Sequence, residues 1–385
     1  MRLAVYTDYT YKRDDGEVRA ERAFALFIDA LAERLGGLTL AGRLDPRPGA
    51  GPYRLGPTVA FVPLPFYETV TRPLSASRQL LASMRRFQRV LDDVDTVWLL
   101  GPSPLALLFA VQTLLRRRAL VLGVRQDTNA YVRSRHPRRR WIQLAGALME
   151  GAWRALGRRA PVVVVGPQLA HHYRRSRRLL EVAVSLVRER DVVADVPQRS
   201  LDGDVRVLSV GRLETEKNPL LLADVLAGLN ASASGPHWHL TVVGDGPLRE
   251  QLAQRLDELG VAQQADLRGY VPHDDGLTAA YRDSDLLLHV SWTEGLPQIL
   301  FEAFAAGLPV VATNVGGIRA AVGEATELIP PGDADAAVQA LQLLRTDAIL
   351  REQRARTGLG LARARTLEAE TERLAAFVAG AGGAA

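Results

Sequence analysis

The 385-residue chain has no cysteine, which excludes disulfide frameworks, thiolate-bound zinc, iron–sulfur clusters and thiol nucleophiles. Lysine is nearly absent too. Of 48 basic side chains only Lys12 and Lys217 are lysines; the other 46 are arginines. Long apolar runs are scarce. The start, Met1–Asp8, is apolar over too few residues for a signal peptide and reads as a first buried strand. One charge-free stretch, Thr96–Leu115, reaches the length of a bilayer span, with Arg116–Arg118 behind it. Gly101-Pro102-Ser103-Pro104 interrupts it, so it reads as a short strand, a loop and a buried helix over Leu105–Leu115. These absences lead to the expectation of a cytoplasmic protein.

What is present suits a globular chain of two or three domains: 47% hydrophobic and 24% charged residues. The net charge of +5 conceals a division. Residues 1–200 carry 33 basic against 18 acidic side chains, net +15, and residues 201–385 carry 15 against 25, net −10. Short, nearly continuous apolar runs predict strands at Leu3–Thr7, Val59–Val62, Thr96–Leu100, Leu120–Val124, Pro161–Val165 and Val182–Ser185. In the second half they fall at Val205–Val210, His239–Val243, Ala265–Gly269, Leu286–His289, Pro309–Thr313 and Glu327–Ile329. Amphipathic stretches such as Ala20–Leu35, Leu74–Leu91, Pro219–Leu229 and Leu248–Leu259 alternate with them, which predicts two doubly wound α/β domains. The expected division is a domain over 1–190, a linker over 191–204, a second domain over 205–365, and a terminal helix and tail over 366–385, helix being read across Ile349–Val378.

The second half holds the chemistry. Gly211-Arg212-Leu-Glu-Thr-Glu-Lys217-Asn-Pro219 follows a strand and precedes a helix, a geometry that receives phosphate, with Arg212 and Lys217 adding positive charge. In so arginine-rich a chain, Lys217 marks a position that wants a compact ammonium. Gly244-Asp245-Gly246-Pro247 closes the next strand and allows close backbone approach, or is an ordinary tight turn. Ser291-Trp-Thr-Glu294-Gly295-Leu296-Pro297-Gln298 then leads into a helix carrying Glu302 among apolar neighbours. An acid there is costly unless paired or liganded. Backbone amides of Gly295–Gln298 would meet anionic oxygens at the helix start, while the two carboxylates accept separate sets of hydroxyls, as a nucleotide sugar presents. Asn314–Ile318 reads as another flexible loop, and Asp333 as a helix cap after the Pro330–Gly332 turn.

From about Val205 to Leu344 the chain resembles the donor domain of the retaining GT-B glycosyltransferases of family 4, also grouped as glycosyl transferases group 1. The Glu-x7-Glu pair (Glu294, Glu302), the Gly-Arg…Lys loop (Gly211, Arg212, Lys217) and the Gly-Asp-Gly-Pro turn at Gly244 carry that resemblance, in order. It implies two doubly wound Rossmann-like domains facing across a cleft. It also implies that Arg212 and Lys217 bind a donor diphosphate, Glu294 the sugar and Glu302 the ribose. The base contact would fall at Tyr270 and Val271. A Gly-Gly-Ile-Pro-Glu pattern is broken here: Gly316-Gly317-Ile318 continues with Arg319-Ala320, without the acid.

The first half departs further. Relatives carry two glycines after the first strand; here the segment Tyr9–Glu17 reads as a loop with one, Gly16. Where a His-Asp pair is usual, the chain has Gln126-Asp127, and Asp127 is either an acceptor-site group or a loop cap. His171 and His172 read as surface. The arginines at 116–118, 133, 135, 138–140, 174, 175, 177 and 178, with Trp141, fit an anionic acceptor or peripheral contact with the inner membrane face; no nucleic-acid motif accompanies them. Four Asp-x-Asp pairs (Asp93/Asp95, Asp202/Asp204, Asp283/Asp285, Asp333/Asp335) read as caps and turns, so no metal or other cofactor is expected. The resulting expectation is a metal-independent, retaining transfer of a sugar from a nucleotide-diphosphate sugar, UDP being the assumed nucleotide, to an unidentified acceptor, with an anionic or a lipid-linked one as the options. Arg212, Lys217, Glu294 and Asp127 are its catalytic candidates. A nucleotide-sugar epimerase and a non-catalytic nucleotide-sugar binder are the alternatives.

Overall fold

The computed structural model describes residues 1–47, 49, 51–67, 73–135, 139–232, 235–272 and 275–382, so Arg138 of the basic run lies outside it. The chain forms two compact units: Met1–Val184 with Leu367–Ala385, and Ser185–Thr366.

In the first unit the strands are β1 (Leu3–Asp14), β2 (Glu17–Ala20), β3 (Leu38–Asp45), β4 (Tyr53–Arg54), β5 (Val59–Leu64), β6 (Thr96–Gly101), β7 (Ala119–Val124), β8 (Val162–Val165) and β9 (Leu179–Val182). The parallel part runs β5-β3-β1-β6-β7-β8-β9. β6, β7 and the first part of β1, residues 3–7, are almost wholly buried, as strands covered on both faces must be. Phe87 and Phe109 stack with ring centroids 3.8 Å apart, and Tyr6 meets Phe109 edge-on at 4.9 Å.

The segment Tyr9–Glu17, expected as a loop, is a β-hairpin. β1 continues to Asp14 and pairs antiparallel with β2. Asp15 and Gly16 turn the chain with φ of 46° and 81°, the left-handed pair that an Asp-Gly dipeptide supplies between strands. The charged residues that flank the dipeptide hid this signal. β3 was missed because its Thr39 and Gly42 dilute the apolar run. The last strand of the unit ends at Val182, so the run expected at Val182–Ser185 is displaced toward Leu179.

The second unit holds β10 (Val205–Val210), β11 (Trp238–Val243), β12 (Ala265–Gly269), β13 (Leu286–His289), β14 (Val310–Thr313) and β15 (Thr326–Ile329), all parallel, in the order β12-β11-β10-β13-β14-β15. Residues 191–204, read as a linker, pack on this unit: the Val193 amide bonds to Ala305 O at 2.9 Å, Arg199 Nη1 to Gly307 O at 3.1 Å, and Leu201 is buried.

Helix expected as one piece over Ile349–Val378 is two, Ala348–Ala364 and Leu367–Gly382. The first lies against helix Gln298–Ala305, where Gly358 leaves room for the Phe304 ring. The second returns to the first unit and contacts helix Phe24–Leu35 and strands β6, β7 and β9, burying Leu374 and Val378 completely. The charge-free stretch Thr96–Leu115 is β6 followed by helix Pro104–Leu115, which Ser103 caps through the Ala106 amide at 3.2 Å. No helix among the described residues is long and apolar enough to cross a membrane.

Candidate functional site

In the second unit the strand order reverses between β10 and β13. Open parallel sheets bind ligands outside the carboxyl ends of their strands at that point. Gly211 leaves β10 and Ser291 follows β13, so the two motif loops emerge side by side.

Glycine permits the lacing of these strand ends. The Gly211 amide bonds to Val243 O at 2.9 Å and the Gly244 amide to Gly269 O at 2.7 Å. Gly244 has φ of 140°, and a Cβ there would stand 1.9 Å from Gly211 O. Beyond Gly211, Thr215–Lys217 forms one 3-10 turn, ended by Asn218 in the left-handed conformation, and the helix starts at Leu221, just beyond Pro219. The Trp292 amide bonds to Glu216 O at 2.9 Å, which fixes this turn against the Ser291 loop.

That docking brings Lys217 to Glu294, and Lys217 Nζ donates to Glu294 Oε1. Ser291 Oγ donates to the same oxygen at 2.8 Å, and His289 Nε2 lies 3.0 Å from it, as a donor because the carboxylate has no proton. The side chains of Glu294 and His289 are 8% and 6% exposed. Burial pushes the Glu294 carboxyl up, but the His289 hydrogen bond and the Lys217 charge outweigh it and hold it at about 2. Glu294 is therefore ionised at neutral pH. All three donors converge on Oε1; among the described residues no donor reaches Oε2, which remains an open acceptor.

Gly316 stands behind this loop with φ of 55°, and a Cβ there would lie 1.9 Å from Glu294 O. The segment read as merely flexible is a close backbone contact. Helix Gln298–Ala305 begins with no side-chain cap at Pro297, as an anion-receiving helix start requires. Gly295 is exposed, Leu296 and Gln298 are half-buried and Pro297 is buried.

Further along that helix, Glu302 Oε2 accepts from Tyr281 Oη at 2.7 Å and lines a hollow with Leu277, Thr278 and Asp191. Burial, then the Glu302 charge, push the Tyr281 hydroxyl well above the ordinary phenol range, so it remains a donor. The half-buried acid is thus paired. Gly211, Arg212 and Lys217 line a second hollow with His289 and Ser291. Arg212 itself is 61% exposed and its guanidinium turns to Glu214 and, at 3.1 Å, Glu216, so the structure does not join it to the Lys217–Glu294 pair. Tyr270, 53% exposed, and Val271 follow the end of β12.

Asp127 belongs to the first unit. It directly precedes helix Thr128–Arg135, its carbonyl accepts the Tyr131 amide at 2.9 Å, and its carboxylate lies 3.8 Å from His172 Nδ1. Asp333 caps helix Ala334–Thr346 through the Ala336 amide at 2.8 Å, as expected. Asp285 pairs instead with Arg206 at 2.9 Å, so this Asp-x-Asp member is a buried ion-pair partner. His289, Ser291 and Tyr281 were missed. The signal available was a histidine ending an otherwise all-leucine strand five residues before Glu294.

Two units with parallel sheets and helical crossovers, one bearing a basic glycine-edged loop beside an uncapped helix, define the GT-B fold. Solved structures agree along the whole chain. Sucrose-phosphate synthase from Thermosynechococcus elongatus superposes with a TM-score of 0.70 at 20% identity, over 100% of both chains. HepE from Anabaena, solved in complex with UDP, gives 0.70 at 16% identity, over 99% of this chain and 100% of that one. Residues 195–359 match the family Glycosyl transferases group 1. Over 141 residues, 36% of its length, the chain is 33% identical to the 2-deoxystreptamine N-acetyl-D-glucosaminyltransferase of Streptomyces fradiae. The match spans 33% of that relative's length.

Proposed function

We propose that the chain is a glycosyltransferase that moves a sugar from a nucleotide-diphosphate sugar to an acceptor hydroxyl, with UDP as the nucleotide, retention at the anomeric carbon and no metal ion. The carrying observation is the Lys217–Glu294 pair, which puts a fixed cation and an ionised carboxylate with one open oxygen at the strand-order reversal. HepE structures that hold UDP and UDP-glucose support the choice of nucleotide.

In this reading the diphosphate sits at the start of helix Gln298–Ala305 against Lys217, and Arg212 leaves its glutamates to join it. Glu294 Oε2 accepts a sugar hydroxyl and Glu302 a ribose hydroxyl. The bond from the anomeric carbon to the diphosphate breaks, its electron pair going to the phosphate oxygen. The acceptor oxygen bonds to the same face of that carbon and its proton passes to a phosphate oxygen, so no side-chain base is required. Lys217 and Arg212 stabilise the charge on the leaving group. A thermal-shift screen of UDP-, GDP- and ADP-sugars tests the donor: UDP-sugars raise the melting temperature, and a shift confined to another nucleotide overturns the UDP assignment.

The acceptor end lies in the basic first unit, working against a cytoplasmic membrane face. Helix Arg140–Gly157 favours this, because it exposes Trp141, Leu144 and Leu148 at 62%, 62% and 66% on one face beside Arg139 and Arg140, while Trp153 and Glu150 are buried.

A further inference from the structure

Most arginines of the first unit lie on solvated faces or pair with acids, as Arg43 does with Asp8 at 3.2 Å while bonding to Tyr67 O and Asp8 O. Arg125 does neither. It follows β7 directly and is only partly exposed. Its guanidinium carbon lies 4.1 Å from the Phe24 ring centroid and 5.1 Å from that of Tyr9, and it donates one hydrogen bond, to the Tyr9 hydroxyl. Its Nε is buried without a partner, and among the described residues no carboxylate pairs with it. Desolvation alone pulls its pKa below the ordinary arginine value, to about 10.

The surroundings add positive potential. Tyr9 lies where the pairing of β1 with β3 shifts register between Tyr6 and Thr10, an irregularity of the kind that re-aims side chains. A second guanidinium, that of the exposed Arg22, stands 4.9 Å from the Tyr9 ring centroid. Phe24 opens helix Phe24–Leu35, whose start has neither a side-chain cap nor an acid in its first turn. Arg125 lies past the carboxyl end of β7, and Tyr9 lies in β1 three residues beyond Tyr6, where the pairing with β6 ends, close to the strand-order reversal between β1 and β6 that marks the ligand side of an open α/β sheet.

We propose that Arg125, Arg22 and Tyr9 form an anion subsite that takes a phosphate group carried by the acceptor. A planar guanidinium with unused donors fits a phosphate in bidentate fashion, and the aromatic rings hold it in place when the site is empty. The phosphate chemistry stands on the first unit alone; its assignment to the acceptor rests on the glycosyltransferase reading.

The test is phosphorus NMR and calorimetry on the full chain with inorganic phosphate, glucose 6-phosphate and glucose, with UDP titrated separately. Phosphate and glucose 6-phosphate should bind and glucose should not. R125M should weaken phosphate binding by about tenfold or more and R22A by a few-fold, with R125K between R125M and wild type, while UDP affinity stays within about twofold. R22A alters an exposed side chain and decides the matter if R125M does not fold. Absence of phosphate binding, or unchanged affinity in both R125M and R22A, overturns the subsite. Displacement of bound phosphate by UDP, with R125M weakening both equally, overturns the acceptor assignment in favour of the donor diphosphate. Failure of UDP to bind while phosphate binding responds to Arg125 contradicts the donor reading and leaves the subsite standing.

Discussion

Lys217 and Glu294, separated by 77 positions, form an ion pair whose carboxylate oxygen is also held by His289 and Ser291. Strand order alone makes this possible, since β10 and β13 are neighbours in the sheet although two strands intervene in the chain. In the free protein the pair holds both groups in place; in the proposed reading the ammonium faces phosphate and the carboxylate faces sugar once donor binds. Removing the cation from a leaving group should cost on the order of 100-fold or more in turnover. K217A should show that loss in kcat for UDP-sugar turnover, and a loss confined to KM would assign Lys217 to ground-state binding alone.

The carboxyl of Glu294 is depressed from the usual glutamate value of 4.5 to about 2. A depressed acid contributes stability that is fully present above its unfolded pKa and disappears as pH falls through the folded one. The contribution of Glu294 is therefore complete above pH ~4.5 and is lost between there and pH ~2. H289A removes the leading cause of the depression. With the Glu294 carboxyl less depressed, its melting temperature should fall less than that of wild type between pH ~4.5 and pH ~2, and superimposable pH profiles would contradict the role given to His289.

Gly316 and Gly244 each place a hypothetical Cβ 1.9 Å from a backbone carbonyl oxygen, at φ of 55° and 140°. Backbone cannot retreat as a flexible side chain does, so G316A and G244A should each destabilise by roughly 1–3 kcal/mol. G316A should also reduce turnover, because the displaced carbonyl belongs to Glu294. Thermal melts and UDP-sugar turnover read the two effects separately.

The apolar face of helix Arg140–Gly157 should bind anionic vesicles. W141E and L148E, both at exposed positions, should lose co-sedimentation with phosphatidylglycerol vesicles while keeping the wild-type melting temperature. Retained sedimentation would move the membrane contact elsewhere.

The second unit was readable because its strands are buried on both faces: Leu286–His289 and Val205–Val210 stand out as apolar runs, and their ends carry the motifs. The network around Glu294 was only half readable. Lys217 and Glu294 advertise themselves by rarity and by a charge beside an apolar helix, whereas His289 looks like the end of a strand until β13 is placed beside β10. The same reason hid the environment of Arg125, which joins groups from β1, the first helix and β7. Periodicity also continued through Arg365 and Thr366, so the sequence pattern could not reveal that helix Leu367–Gly382 returns to the first unit.

The most direct test of the donor site is calorimetric titration of UDP into the wild-type chain and into K217A. Wild type should bind one UDP, and K217A should bind it about 10- to 100-fold more weakly, the worth of a charge-assisted contact to phosphate. Equal affinity in the two proteins, or no binding of UDP by wild type, would contradict the placing of the diphosphate at Lys217.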